Sequence, residues 1–163
     1  MSNKISKLKT KISLLIKLII VYQRLLSLMT KKITVILHHT ATDRDYTSFE
    51  SIERGHRTRG YPKSSLGFYC AYNSLITGDG KLHLARPYSD TGHAASTFKG
   101  FHIDICLTGN TSQQEPTRSQ IQALENELNK INRVDLKGHY QFFPTECPGK
   151  YLKKWIKSYR KAD

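Results

Sequence analysis

The stretch ITVILHH, residues 33–39, opens on five apolar or β-branched residues and ends on two histidines. A strand with one wet face alternates polar and apolar residues; this run does not, so it reads as a strand buried on both faces inside a covered sheet. Successive side chains on a strand point to opposite sides, so only one of His38 and His39 can face a given pocket. The other is expected to be a supporting or structural residue.

Downstream, TSFE (47–50) predicts a capping box with the Thr47 hydroxyl and Glu50 carboxylate closing the first turn of a helix that runs to about Arg57. FYCAYNSLI (68–76) predicts a second strand, TGDG (77–80) a turn and KLHLARP (81–87) its hairpin partner. HIDICLTGN (102–110) predicts a further strand. PTRSQIQALENELNKIN (116–132) predicts a helix with Thr117 as N-cap, Gln120 at N3, and Ile121, Leu124, Leu128 and Ile131 along one face. HYQFF (139–143) reads as extended, and Lys150–Lys161 carries Tyr151, Leu152, Trp155, Ile156 and Tyr159 at helical spacing. Helices mixed with strands in this order predict an α/β fold with a mixed central sheet flanked by helices.

The first 32 residues differ from the rest. They hold eight Lys or Arg and no acid, out of a chain net charge of +13; residues 33–163 carry only +5. In ISLLIKLIIVYQRLLSLM (12–29), the polar positions Ser13, Lys17, Arg24, Ser27 and then Lys31 fall on one helical stripe opposite a Leu/Ile face. Central charges disfavour a transmembrane span, and no small-x-small cleavage site follows. Three readings stand: a helix docked on its own domain or self-associating, an interfacial helix on an anionic membrane or wall, or an uncleaved export anchor. The expected organisation is a basic amphipathic helix over 1–32 and one domain over 33–163.

Such a charge suits polyanions in general, nucleic acid included, but no nucleic-acid-binding motif is present and none is expected as partner. Three cysteines are too few for a disulfide framework. Cys70 and Cys106 read as small buried thiols, a disulfide between them being the lesser alternative.

KGHYQFFPTECPGKY (137–151) sets His139 and Cys147 eight residues apart. With His38 they offer two imidazoles and a thiolate, a donor set that suits a hydrolytic zinc with a fourth position left for water. Among seven histidines such spacing also arises by chance, and on spacing alone a surface histidine and a buried thiol serve as well.

Five blocks in order go further: VILHHTAT (35–42), SLGFYCAYNSLITGDGKLHLARP (65–87), TGHA (91–94), IDICLTGN (103–110) and GHYQFFPTECPG (138–149). Over about residues 33–155 the chain resembles zinc-dependent N-acetylmuramoyl-L-alanine amidases, in the branch containing phage amidase-type lysozymes and peptidoglycan recognition proteins. The resemblance implies Zn²⁺ held by His38, His139 and Cys147. It implies a catalytic tyrosine too, and the seven-residue distance to Asp79 selects Tyr72 over Phe68, which has no hydroxyl. Thr145, two before the cysteine, stands where relatives have Lys or Thr, and implies an oxyanion donor. Tyr140 and Ala71 depart from the Arg and Gly that many relatives carry. His93 falls where relatives line the substrate cleft, the alternative being a buried hydrogen-bonded ring; Arg86, before Pro87, is read either as a contact to a stem-peptide carboxylate or as a brace for the sheet. The implied activity is hydrolysis of the amide joining N-acetylmuramic acid to L-alanine in peptidoglycan, the expected partner. The rivals are a non-catalytic muropeptide-binding module, which typically loses the cysteine, and a basic nucleic-acid-binding protein. Oligomeric state, cellular address and the proton carrier are left open.

Overall fold

The computed structural model describes residues 2–30, 32–131 and 133–159, with side chains in the first stretch described from Thr10 to Ser27. In chain order the elements are helix α1 (Ser2–Thr30), strand β1 (Ile33–His39), helix α2 (Phe49–Thr58), strands β2 (Ser74–Ile76), β3 (Leu82–Leu84) and β4 (His102–Leu107), helix α3 (Arg118–Leu128), strand β5 (Val134–Gly138), a 3₁₀ turn (His139–Gln141) and helix α4 (Lys150–Tyr159). Arg160 and Lys161, which the sequence assigns to the last helix, lie outside the described residues, as does Lys31 of the polar stripe. The chain divides into two units, residues 1–32 and 33–163.

The second unit is a mixed five-stranded sheet of order β3-β2-β4-β1-β5. β1 pairs in parallel with β4 on one side and β5 on the other, β2 is parallel to β4, and only β3 runs antiparallel, to β2. Strand alternation sorts the side chains. Val35, Leu37, Ile103, Ile105, Leu107, Ile76 and Leu136 face one way and pack against Leu124 and Leu128 of α3 and Leu152 and Ile156 of α4. Each such fully buried aliphatic side chain stabilises by roughly 1.5–3 kcal/mol. Cys106 and Leu75 face the other way, beneath Phe49 of α2, with Cys70 and Ala85 completing a smaller cluster. Cys70 and Cys106 are free and buried.

Helix α3 starts as its sequence dictates: the Gln120 N–H donates to Thr117 Oγ1 (3.0 Å) and the Thr117 N–H to Gln120 Oε1 (3.1 Å). The β2–β3 turn closes through Gly80 N–H to Thr77 O (2.8 Å) and Lys81 N–H to Asp79 Oδ1 (3.1 Å), with Gly80 at φ +87°.

Three expectations are corrected. The N-cap of α2 is Ser48, whose Oγ accepts from the Ser51 N–H at 3.2 Å, because the Thr47 hydroxyl is engaged by the Asp43 carbonyl and by Thr42. Residues 68–73 do not extend β2: Asn73 exchanges backbone and side-chain bonds with Asp104 (2.9 and 2.8 Å) while its Nδ2 donates to the carbonyls of Pro87 and Asp90, so the chain leaves the sheet there. HYQFF is a tight turn, not an extended segment, since the Gln141 side chain folds back to accept from the Gly138 N–H (2.9 Å). The strand in this region is β5, just upstream, which the sequence reading left unassigned.

In the first unit, every side chain of α1 from Thr10 to Ser27 is exposed, the Leu and Ile residues included. Among the described residues no helix is long and apolar enough to cross a membrane.

His56, on the buried face of α2, accepts the Ala71 N–H on Nδ1 (3.1 Å) and packs edge-on against the Tyr72 ring. Burial, reinforced by Arg59 and Arg86, pushes this ring down to about 4 from its ordinary 6.5. The unfolded chain therefore binds a proton that the folded one refuses between those values. The contribution of His56 to stability is complete above pH 6.5 and is lost as pH falls toward 4. In His56→Gln the pH slope of the urea midpoint between pH 4 and 6.5 should fall by the equivalent of about one proton; an unchanged slope would contradict a neutral His56.

Candidate metal centre

The register of the parallel β1–β5 pair aligns Leu37 with Gly138. The residue after each is a histidine, His38 still in β1 and His139 opening the 3₁₀ turn after β5, so the two emerge side by side at the carboxyl end of the sheet, with ring centroids 4.6 Å apart. That end of a parallel sheet is where ligand sites form in α/β proteins. Gly138 is required for the third member to approach: a Cβ there would lie 2.6 Å from the Tyr140 ring and 2.9 Å from Pro148. The loop from 139 to 147 is closed by the Tyr140 N–H on the Cys147 carbonyl (2.9 Å). This leaves Cys147 Sγ 3.7 Å from His38 Nδ1 and within reach of the His39 N–H (3.4 Å). One donor atom from each of His38, His139 and Cys147 lies within 4.8 Å of the other two, a grouping able to hold a metal ion.

The protonation pattern follows from the neighbours. His38 Nε2 is 2.9 Å from Asp104 Oδ1, and both side chains are buried. A carboxylate accepts, so Nε2 carries the proton and Nδ1 is the atom turned toward Cys147. Burial works against a charged His38, but Asp104 outweighs it and the ring rises to about 9 in the metal-free protein. Burial likewise opposes ionisation of Asp104; the rings of His38 and His102 overcome it and hold the carboxyl well below its usual range. His139 is pushed down to about 4 by burial and by His38. His39 points away from this group: its Nδ1 accepts from the Thr111 N–H (3.1 Å), and burial with His38 and Lys153 keeps it at about 4.

Tyr72 stands beside the three, its ring centroid 5.3 Å from that of His38. Burial, together with Cys106 and Cys147, raises its phenol well above the ordinary value, so the hydroxyl keeps its proton. Thr145 is half-buried and accepts the Cys147 N–H on Oγ1 (3.2 Å), which leaves its own O–H free to donate. His93 is half-buried and is not among the metal-binding group; its backbone N–H donates to the Ala71 carbonyl (2.9 Å). Arg86 is 3% exposed, with Nε on the Cys70 carbonyl (2.6 Å) and Nη2 on the Pro62 carbonyl, which makes its cation a brace between two loops.

Sequence reasoning overlooked Asp104, His102 and His56. The signal for Asp104 was present in HIDICL: an acid in a fully buried strand must have a specific partner.

A family model described as N-acetylmuramoyl-L-alanine amidase matches residues 30–150. Peptidoglycan-recognition protein SC2 of Drosophila melanogaster is 31% identical over 122 residues, 70% of this chain; the match spans 66% of that relative's length, just under two thirds. The amidase LysC from Clostridium intestinale URNW superposes with a TM-score of 0.66 at 26% identity, over 82% of this chain and 87% of its own. A chain from the structure of tracheal cytotoxin bound to the ectodomain complex of peptidoglycan recognition proteins LCa and LCx gives a TM-score of 0.60 at 27% identity, over 76% of this chain and 80% of its own. With its sheet, its flanking helices and its two-histidine, one-cysteine grouping, this chain belongs to the N-acetylmuramoyl-L-alanine amidase family.

Proposed function

We propose that the chain is a zinc amidase that hydrolyses the bond between N-acetylmuramic acid and L-alanine of peptidoglycan. The observation that carries this reading is the convergence of His38, His139 and Cys147 with the Tyr72 ring alongside. The donor set fits the ion. Zinc bonds of about 2.0–2.3 Å at tetrahedral angles separate ligands by roughly 3.3–3.8 Å, and His38 Nδ1 and Cys147 Sγ already stand 3.7 Å apart. When bound, zinc supplies a water acidified to near neutrality and polarises the scissile carbonyl.

The remaining chemistry belongs to the chain. The His39 N–H directed at Cys147 Sγ holds the sulfur facing the two imidazoles. Tyr72, protonated at all working pH values, donates to the oxygen on which negative charge develops, and Thr145 is a second donor. Such a donor is commonly worth ~3 kcal/mol. Asp104 fixes which nitrogen of His38 is available.

Cys147→Ser and His38→Ala should each abolish stoichiometric zinc uptake and the release of stem peptides from purified peptidoglycan, while leaving the protein soluble. Metal analysis and mass spectrometry of the digest read the two outcomes, and full lysis by either variant would sink the assignment. Tyr72→Phe should retain zinc yet lose about 100-fold or more in turnover. The relatives named as recognition proteins favour a second reading, a muropeptide-binding module. It predicts that the zinc-loaded chain binds peptidoglycan fragments and releases nothing.

The acid-free basic helix α1, with Ile12, Leu15 and Ile19 exposed opposite Ser13, Lys17 and Arg24, suits the surface of an anionic membrane. The full chain should co-sediment with phosphatidylglycerol vesicles, bind them less as salt rises, and ignore phosphatidylcholine. The double variant Lys17→Glu, Arg24→Glu should reduce vesicle binding; equal binding by the variant would refute this surface.

A further inference from the structure

Asp104 is fully buried in a central strand, where an ionised carboxylate persists only if its oxygens are matched by donors. The hydrogen-bond donors come from two separate parts of the chain, with the His102 ring close by. Oδ1 accepts a hydrogen bond from the His38 Nε2–H at 2.9 Å. Oδ2 accepts the Ala94 N–H at 2.8 Å and lies 3.5 Å from His102 Nε2. The backbone of Asp104 is clamped on both sides to Asn73, the neighbour of Tyr72: its N–H donates to Asn73 Oδ1 and its carbonyl accepts the Asn73 N–H. The chain makes room for this carboxylate. At Gly92 a Cβ would fall 2.2 Å from Asp104 Oδ2 and 2.5 Å from Cγ, so no other residue fits while the carboxylate keeps its place.

We propose that Asp104 is a positioning residue that couples the metal centre to the 91–95 loop carrying His93, so that metal occupancy and the order of that loop rise together. This rests on the zinc reading given above. The argument is one of shared oxygens. Metal on Nδ1 draws electron density from the imidazole, makes the Nε2 proton a stronger donor and tightens its bond to Oδ1. A carboxylate pinned at Oδ1 holds Oδ2 still for the Ala94 N–H, and by reciprocity a closed loop favours the metal-bound centre. An amide in place of the carboxylate cannot serve both partners. If its oxygen accepts from His38 Nε2, its NH₂ meets the Ala94 N–H donor to donor. If it is turned the other way, its NH₂ faces Nε2 and selects the tautomer with the proton on Nδ1, the atom the metal needs.

The test compares wild type, Asp104→Asn and Gly92→Ala, each titrated with Zn²⁺ by calorimetry and followed by hydrogen exchange at the Ala94 amide, zinc-free and zinc-loaded. In wild type, zinc should slow exchange at Ala94. In Asp104→Asn the zinc dissociation constant should rise about 10- to 100-fold, and zinc should no longer alter Ala94 exchange. Gly92→Ala keeps the negative charge but displaces Oδ2, and should weaken zinc in the same direction; it carries the test should Asp104→Asn fail to fold. Zinc uptake by wild type with unchanged affinity in the folded variants, or zinc-dependent protection of Ala94 that survives in Asp104→Asn, would overturn the coupling alone. A wild-type chain that takes up no zinc would instead overturn the metal reading beneath it.

Discussion

The site depends first on a register. Leu37 stands opposite Gly138 in the parallel β1–β5 pair, and the residue after each is a histidine. A shift of one residue would send one imidazole to the far face of the sheet and separate the two rings. The register is secured from behind, where Val35 and Leu37 of β1 and Leu136 of β5 are sealed under α3 and α4. The apolar layer on one face thus fixes the polar geometry on the other. Packing and chemistry are consequences of the same alternation of side chains.

Around that pair, the bonds that matter are short-range and mostly involve backbone. Gly138 gives Pro148 room, the Tyr140 N–H closes the loop on Cys147, and the His39 N–H meets the sulfur. None of these contacts needs a long flexible side chain, so little conformational entropy is lost in forming the group. Arg86 illustrates the complementary point. Its charge satisfies carbonyls of two irregular loops, and those loops carry Tyr72 and its neighbours into position.

Much of the architecture was legible in residue order because local and global preferences agree. The capping box of α3 is written in Thr117 and Gln120, and β1 in a run of apolar or β-branched residues. The turn after β2 is written in TGDG. Legibility failed where a single side chain replaces regular structure. FYCAYN has strand composition, but Asn73 takes over the ladder bonds and releases the segment. HYQFF looks extended until the Gln141 amide folds back on Gly138. Thr47 looks like a cap, yet its hydroxyl already has nearer partners than the helix end. In the site, the residue types of the grouping were readable from His38, His139 and Cys147. The carboxylate behind His38 was hidden because its partner is 66 positions away, and only the fold brings them together.

The same distance in sequence gives the grouping a mechanical meaning. His38 belongs to the first strand of its unit and Cys147 to the loop before the last helix, 109 positions on. An ion gripping both would close a very long loop, and closing long loops removes the most freedom from an unfolded chain. It would act as a clasp fastening the last helix and strand onto the first strand. Loss of the ion would then loosen the two ends of the unit from each other, as well as silencing its chemistry.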